Sequence, residues 1–135
     1  MKFWRAISAV MLFAHLTGCQ TSTMPPPPTT TPYALNAAEK TAVEKGVRAS
    51  LKDPASAVFG NMVASDQGGG IKNVCGIVNA KNSFGGYTGD TAYFGVLGSM
   101  DAQGKTIATF RMTTMGSDNN SAAVVKTMCQ HYGVI

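Results

Sequence analysis

Along this chain the spacing of apolar positions changes several times, and each change marks a different kind of segment. Ala6 to Leu16 is an apolar run broken only by Ser8 and His15. Gln20 to Pro32 (QTSTMPPPPTTTP) is uncharged and offers a core only Met24. Val43, Val47 and Leu51 then recur every fourth residue, the period of a helix with one buried stripe. Asn36 and Glu39 have the spacing of a capping box at its start, and Pro54 forces the residue before it out of helical geometry, so the pattern predicts a helix from Ala37 to about Lys52. Lys40, Glu44, Lys45, Arg48 and Lys52 fall on its other faces. Asp53 to Phe59 reads as a cap and a short helical turn, with Pro54 at its first position and Val58 and Phe59 turning into the core.

Beyond that point helical periodicity is lost, glycines become frequent and β-branched and aromatic residues cluster. Four strands are predicted, Val58–Ser65, Lys72–Ala80, Thr91–Leu97 and Thr106–Thr113, with turns at Asp66–Gly70 and Met100–Gly104. Short loops between consecutive strands imply antiparallel pairing. In the second strand Val74, Gly76 and Val78 share one face, and Cys75, Ile77 and Asn79 share the other. Ser117 and Asp118 are candidate caps for a last helix from about Asn119 to His131, along which Val125, Met128, Cys129 and Tyr132 form one stripe. The fold class expected is α+β: an antiparallel sheet of about four strands packed against an N-terminal and a C-terminal helix, with one disulfide.

The opening residues say where such a domain works. Lys2 and Arg5 precede the apolar run, which is too short for the ~20 residues that span a bilayer, so it reads as a secretory signal. It ends in Leu16-Thr17-Gly18-Cys19, which resembles the lipobox of bacterial lipoproteins. The resemblance implies cleavage before Cys19 and acylation of that residue, the lipidation site; the other reading is a plain signal peptide with a cysteine at its edge. Two or three acyl chains hold a protein durably where one does so only marginally. Gln20, where lipoproteins retained in the inner membrane carry Asp, favours an outer-membrane anchor with the domain facing the periplasm. The domain plan is thus a signal peptide over 1–18, a lipidated cysteine and Pro/Thr-rich tether over 19–32, and a periplasmic domain over 33–135. The tether cannot bury enough apolar surface to offset ordering entropy, and Pro25 to Pro28 favour an extended spacer. A proline run is also a ligand for aromatic grooves, the other use of such a segment.

Composition narrows the function classes. Without Lys2 and Arg5 the chain has nine basic and seven acidic residues, too even a balance for a basic stripe that would neutralise nucleic-acid phosphates. With Cys19 committed to lipid, Cys75 and Cys129 remain as an even pair in an oxidising compartment, which predicts a disulfide between them. Two distant cysteines and the single mature histidine, His131, do not make a metal signature, and Cys-x-x-Cys is absent. His131 suits the C-terminal end of the last helix, and Asp53, Asp66, Asp90 and Asp101 suit turns or helix starts. No catalytic residue and no cofactor is expected, although an acidic pair brought together by folding would leave a hydrolase open.

The densest collection of chemistry is Asn79-Ala80-Lys81-Asn82-Ser83-Phe84-Gly85-Gly86-Tyr87-Thr88-Gly89. As a binding surface, Gly85 and Gly86 admit close backbone approach, Asn79, Lys81 and Asn82 supply polar groups, and Phe84 or Tyr87 anchors a partner. As a structural loop, the same glycines and asparagines serve backbone torsions and Tyr87 packs. This block, together with Leu51-Lys52-Asp53-Pro54-Ala55-Ser56-Ala57-Val58-Phe59-Gly60 and Val74-Cys75-Gly76-Ile77-Val78, resembles a family of small uncharacterised bacterial and phage-associated proteins. That family supplies a grouping and no activity. The function expected is a membrane-anchored binding or scaffolding module for an envelope protein or glycan; the alternative is a periplasmic inhibitor or phage-exclusion factor.

Overall fold

A computed structural model describes residues 26–135; the signal segment, Cys19 and the tether up to Pro25 lie outside them. The described chain forms strand β1 (Thr31–Tyr33), helix α1 (Ala37–Arg48), a 3-10 turn (Pro54–Ser56), strands β2 (Val58–Gly68), β3 (Ile71–Asn79), β4 (Thr91–Ala102) and β5 (Lys105–Met115), and helix α2 (Asn119–His131). The strands form one antiparallel sheet in the order β1-β2-β3-β4-β5, a meander. The α+β class and the antiparallel pairing therefore stand.

The strand count does not stand. The fifth strand comes from the end of the proline- and threonine-rich segment, where Thr31 pairs with Asp66 and Tyr33 with Ala64. Composition hides it because three residues carry no periodicity, and Pro32 is tolerated only because this strand lies at the edge of the sheet. The β4–β5 hairpin is also longer than predicted. Its strands run on until Ala102 pairs with Lys105 across a two-residue turn of Gln103 and Gly104, both at positive φ, and so absorb the predicted Met100–Gly104 turn.

Helix α1 starts where predicted: Asn36 Oδ1 accepts from the Glu39 amide, and the Glu39 carboxylate accepts from the Asn36 amide. It stops at Arg48, short of Lys52. The Arg48 guanidinium donates to the Pro54 and Ala57 carbonyls, binding the last helical turn to the returning chain before Pro54 can set the limit. Asp53 caps the 3-10 turn by accepting from the Ser56 amide. Phe59 turns toward the core as expected, but Val58 is exposed.

The two helices occupy opposite faces of the sheet, so the domain has three layers. Under α1, Val43 and Val47 pack with Val74, Val78, Tyr93, Leu97 and Phe110. Gly76 and Gly95 are required there, because a Cβ at Gly76 would collide with the Tyr93 ring and one at Gly95 with the Phe110 ring. Under α2 the core is smaller: Cys75, Phe94, Val125 and Cys129, with Tyr132 stacked on Phe94 at 5.4 Å between ring centroids. Asp118 caps α2 by accepting from the Ser121 amide. Cys75 and Cys129 form the expected disulfide, Cα atoms 6.1 Å apart, joining β3 to the buried stripe of α2.

Candidate functional site

The Asn79–Gly89 segment forms the β3–β4 connection. Its base is fixed by the Gly89 amide donating to Asn79 Oδ1 at 3.1 Å and by the Lys81 amide donating to Ser56 Oγ at 2.8 Å, which ties it to the 3-10 turn. A bridge pairs Lys81 with Tyr87, and the Thr88 amide donates to the Ala80 carbonyl. At the tip Asn82 Oδ1 accepts from the Phe84 amide at 2.9 Å and from the Gly86 amide at 3.2 Å. The Asn82 amide in turn donates to the Gly86 carbonyl at 2.8 Å. Gly85, at φ +83°, takes the left-handed conformation the turn needs.

This geometry divides the predicted roles. The side-chain oxygens of Asn79 and Asn82 are spent on the loop's own backbone, so these residues shape the segment. Phe84 does not pack, and Tyr87 packs only in part. Phe84 is 97% exposed and Tyr87 53%, with Lys81 Nζ 5.6 Å from the Tyr87 ring centroid, within reach of a cation–π attraction. A rigid turn thus displays an apolar side chain fully to solvent. Beside the loop lies a shallow cleft of about 230 Å³ lined by Leu51, Lys52, Ala80, Lys81, Thr88 and Ser117.

The loop stands at the end of the sheet where β2 begins and β3 ends, since Val58 pairs with Asn79. The N-terminal segment enters at the other end, where Thr31 pairs with Asp66. The eight residue steps from Val58 to Asp66 separate the two by about 25 Å at ~3.3 Å per residue.

A second polar constellation lies near the chain's entry. Glu39 Oε1 accepts from Ser99 Oγ at 2.7 Å and from the Tyr33 hydroxyl at 3.2 Å, and lies 3.4 Å from Lys72 Nζ. Lys72 also donates to Ser99 Oγ at 2.7 Å and sits 4.6 Å from the Tyr33 ring centroid. Burial works to raise the Glu39 pKa, but the bonds from Ser99 and the Asn36 amide, the Lys72 charge and the Tyr33 hydroxyl together hold it below its ordinary value. Burial and the neighbouring carboxylate push the Tyr33 pKa up. A serine beside a lysine invites a catalytic reading, but this lysine donates to the serine oxygen and so is not placed to take its proton. The cluster instead fastens β1 to α1, β3 and β4. Sequence reading found only the capping role of Glu39, because its other partners lie far along the chain and no local motif joins them.

Tyr93 carries a buried hydroxyl without a hydrogen-bond partner, and burial raises its pKa strongly. His131 lies in the last turn of α2 with its ring 4.9 Å from that of Tyr132. Among the described residues no group of three or more His, Cys, Asp or Glu side chains is placed to hold a metal ion, and no helix is long and apolar enough to cross a membrane. Comparison with protein-family models, curated proteins and solved structures finds no match to this chain.

Proposed function

We propose that this domain is a binding module that presents the Asn79–Gly89 loop to a protein of the bacterial envelope, with Phe84 as its principal anchor. The observation that carries the reading is Phe84 itself, 97% exposed on a turn whose backbone is locked by Asn82. An exposed aromatic costs solvation, and a preorganised loop loses little entropy on binding, a combination suited to recognition. Lys81 and Tyr87 flank the anchor, and the adjoining cleft enlarges the contact.

The lipobox resemblance of Leu16 to Cys19 supports an outer-membrane lipoprotein whose tether holds the domain in the periplasm. In that setting the far end of the sheet carries the loop away from the lipid. The inhibitor reading stays within the same proposal: a protruding aromatic knob is also what fills a partner's cleft.

Photo-crosslinking from positions 84 and 87 in intact cells tests the proposal. One dominant envelope protein, captured from both positions, is the expected result. Diffuse background from folded protein would return the loop to a purely structural role.

A further inference from the structure

Helix α2 covers only part of its side of the sheet. Its 13 residues span about 20 Å at ~1.5 Å per residue, whereas the 12 residues of β4 run for about 40 Å at ~3.3 Å per residue. The chain enters α2 near Ala92, whose carbonyl accepts from the Gly116 amide, and the helix ends over β2, where Ser65 Oγ donates to the Tyr132 carbonyl. It therefore crosses the strands obliquely and leaves one corner bare: the start of β3, the end of β4 and the start of β5, far from the Asn79–Gly89 loop. There Ile71 pairs with Gly98 and Met100 with Ile107, all on the side of α2. Ile71, Met100 and Ile107 keep 41%, 66% and 53% of their accessible surface and border a shallow hollow of about 260 Å³ at Gly98.

The charges around this corner are of one sign. Lys105 and Arg111 alternate with Ile107 along β5, share its face and are exposed. All seven acidic residues lie elsewhere. Glu39 and Glu44 are on α1, Asp53 caps the 3-10 turn, and Asp90 and Asp118 stand at the loop's end of the sheet. Asp66 and Asp101 are at the near end but on the α1 face, where they accept from the Gly68 amide and the Thr106 hydroxyl. The chain's entry is at this same end, since Thr31 pairs with Asp66. It also comes from the same side, because a Cβ at Gly133, just past α2, would meet the Thr30 hydroxyl. The 11 residues from Gln20 to Thr30 join Cys19 to β1, so an anchor at Cys19 holds this end of the sheet within about 40 Å of the lipid.

We propose that this bare corner docks the domain on the anionic surface of the membrane that carries its anchor. Ile71, Met100 and Ile107 enter the headgroup region while Lys105 and Arg111 meet lipid phosphates, the division of labour of an interfacial membrane contact. This rests on the lipobox reading of Cys19 and deepens it: the acyl chains hold the protein, and the corner sets its orientation. With that corner down, the opposite end of the sheet, and Phe84 with it, points away from the lipid.

The test is fluorescence quenching by nitroxide-bearing lipids, with the chain purified from membranes and reconstituted in vesicles of phosphatidylcholine and phosphatidylglycerol. Met100→Cys, Ile107→Cys and, at the loop's end of the sheet, Val58→Cys each place a fluorophore on an exposed position. Quenching at positions 100 and 107 but not at 58 is the expected result. Lys105→Gln with Arg111→Gln should lower the ratio of docked to undocked domain about thirtyfold, at about fivefold for each basic residue near an anionic surface. Vesicles of phosphatidylcholine alone should weaken docking likewise. Quenching at 100 and 107 no greater than at 58, in a chain that floats with the vesicles, overturns the inference and leaves the anchor standing. Quenching indifferent to both cations also overturns it, as does crosslinking of positions 100 and 107 to an envelope protein or to a second copy in place of lipid. A chain whose mass shows no acyl group loses the anchor and the docking together, while capture from position 84 still tests the loop.

Discussion

Glu39→Gln isolates the buried polar cluster that fastens β1 to the rest of the domain. The side chains of Glu39 and Lys72 retain 1% and 7% of their accessible surface, so neither can turn to water when its partner is lost. The substituted amide would keep the size of the side chain and an oxygen for the Asn36 amide, and would leave the Lys72 ammonium buried opposite a neutral group. Breaking a buried pair from one side costs about 3–5 kcal/mol, because the remaining charge is uncompensated. For a domain of this size a loss of ~3 kcal/mol lowers Tm by on the order of 12–24 °C. Urea unfolding followed by circular dichroism should show that loss, and Lys72→Met in the same background should restore at least half of it by removing the stranded charge. A loss below ~1 kcal/mol, or a double variant weaker than the single one, would refute the claim that the pair is desolvated and coupled. The pH dependence has a definite sign. The folded-state pKa of Glu39 lies below its ordinary value of 4.5, so its contribution is complete above that pH and is lost as pH falls through the folded value. Wild-type stability should therefore decline on acidification below about pH 4.5, and Glu39→Gln should flatten that part of the profile.

Cys75→Ser should cost about 2–5 kcal/mol, since the bond spans 54 residues and the chain-entropy model alone gives roughly 4 kcal/mol; free thiols at both positions in protein taken directly from cells would contradict the pairing. Gly76→Ala should destabilise by about 1–3 kcal/mol, because the new methyl group meets the Tyr93 ring; unchanged thermal unfolding would show that the ring has room to move. Cys19→Ser should abolish incorporation of labelled palmitate, whereas continued labelling would remove the anchor assignment.

How much of this was legible in the sequence followed the range of the interactions involved. Both helix starts could be read because a cap is a local device: Asn36 with Glu39, and Asp118 with Ser121, satisfy amides within one turn. The disulfide was legible because redox context, strand alternation at Cys75 and the helical stripe at Cys129 agreed. The three residues of β1 were not legible, since they are ordered by pairing with β2 and by Tyr33 reaching Glu39 rather than by their own propensity. The end of α1 differs from the periodicity for a related reason: Arg48 is a surface cation by pattern and a clamp on the following chain in three dimensions. Alternation assigned faces within the sheet, yet nothing local could say that α1 and α2 take opposite faces.

The loop shows both sides of this division. Its composition marked it as unusual, and the two readings of that composition both describe real features, asparagines that build the turn and aromatics that the turn displays. Exposure of Phe84 separates them, and exposure depends on the whole fold.

The most direct test of the account separates binding from stability at the loop tip. Phe84→Ala, alone and with Tyr87→Ala, should leave urea stability within about 0.5 kcal/mol of wild type, as expected for exposed positions, while partner capture by the loop is lost. A drop in stability of several kcal/mol with capture intact would mean that these aromatics hold the fold and that binding lies elsewhere.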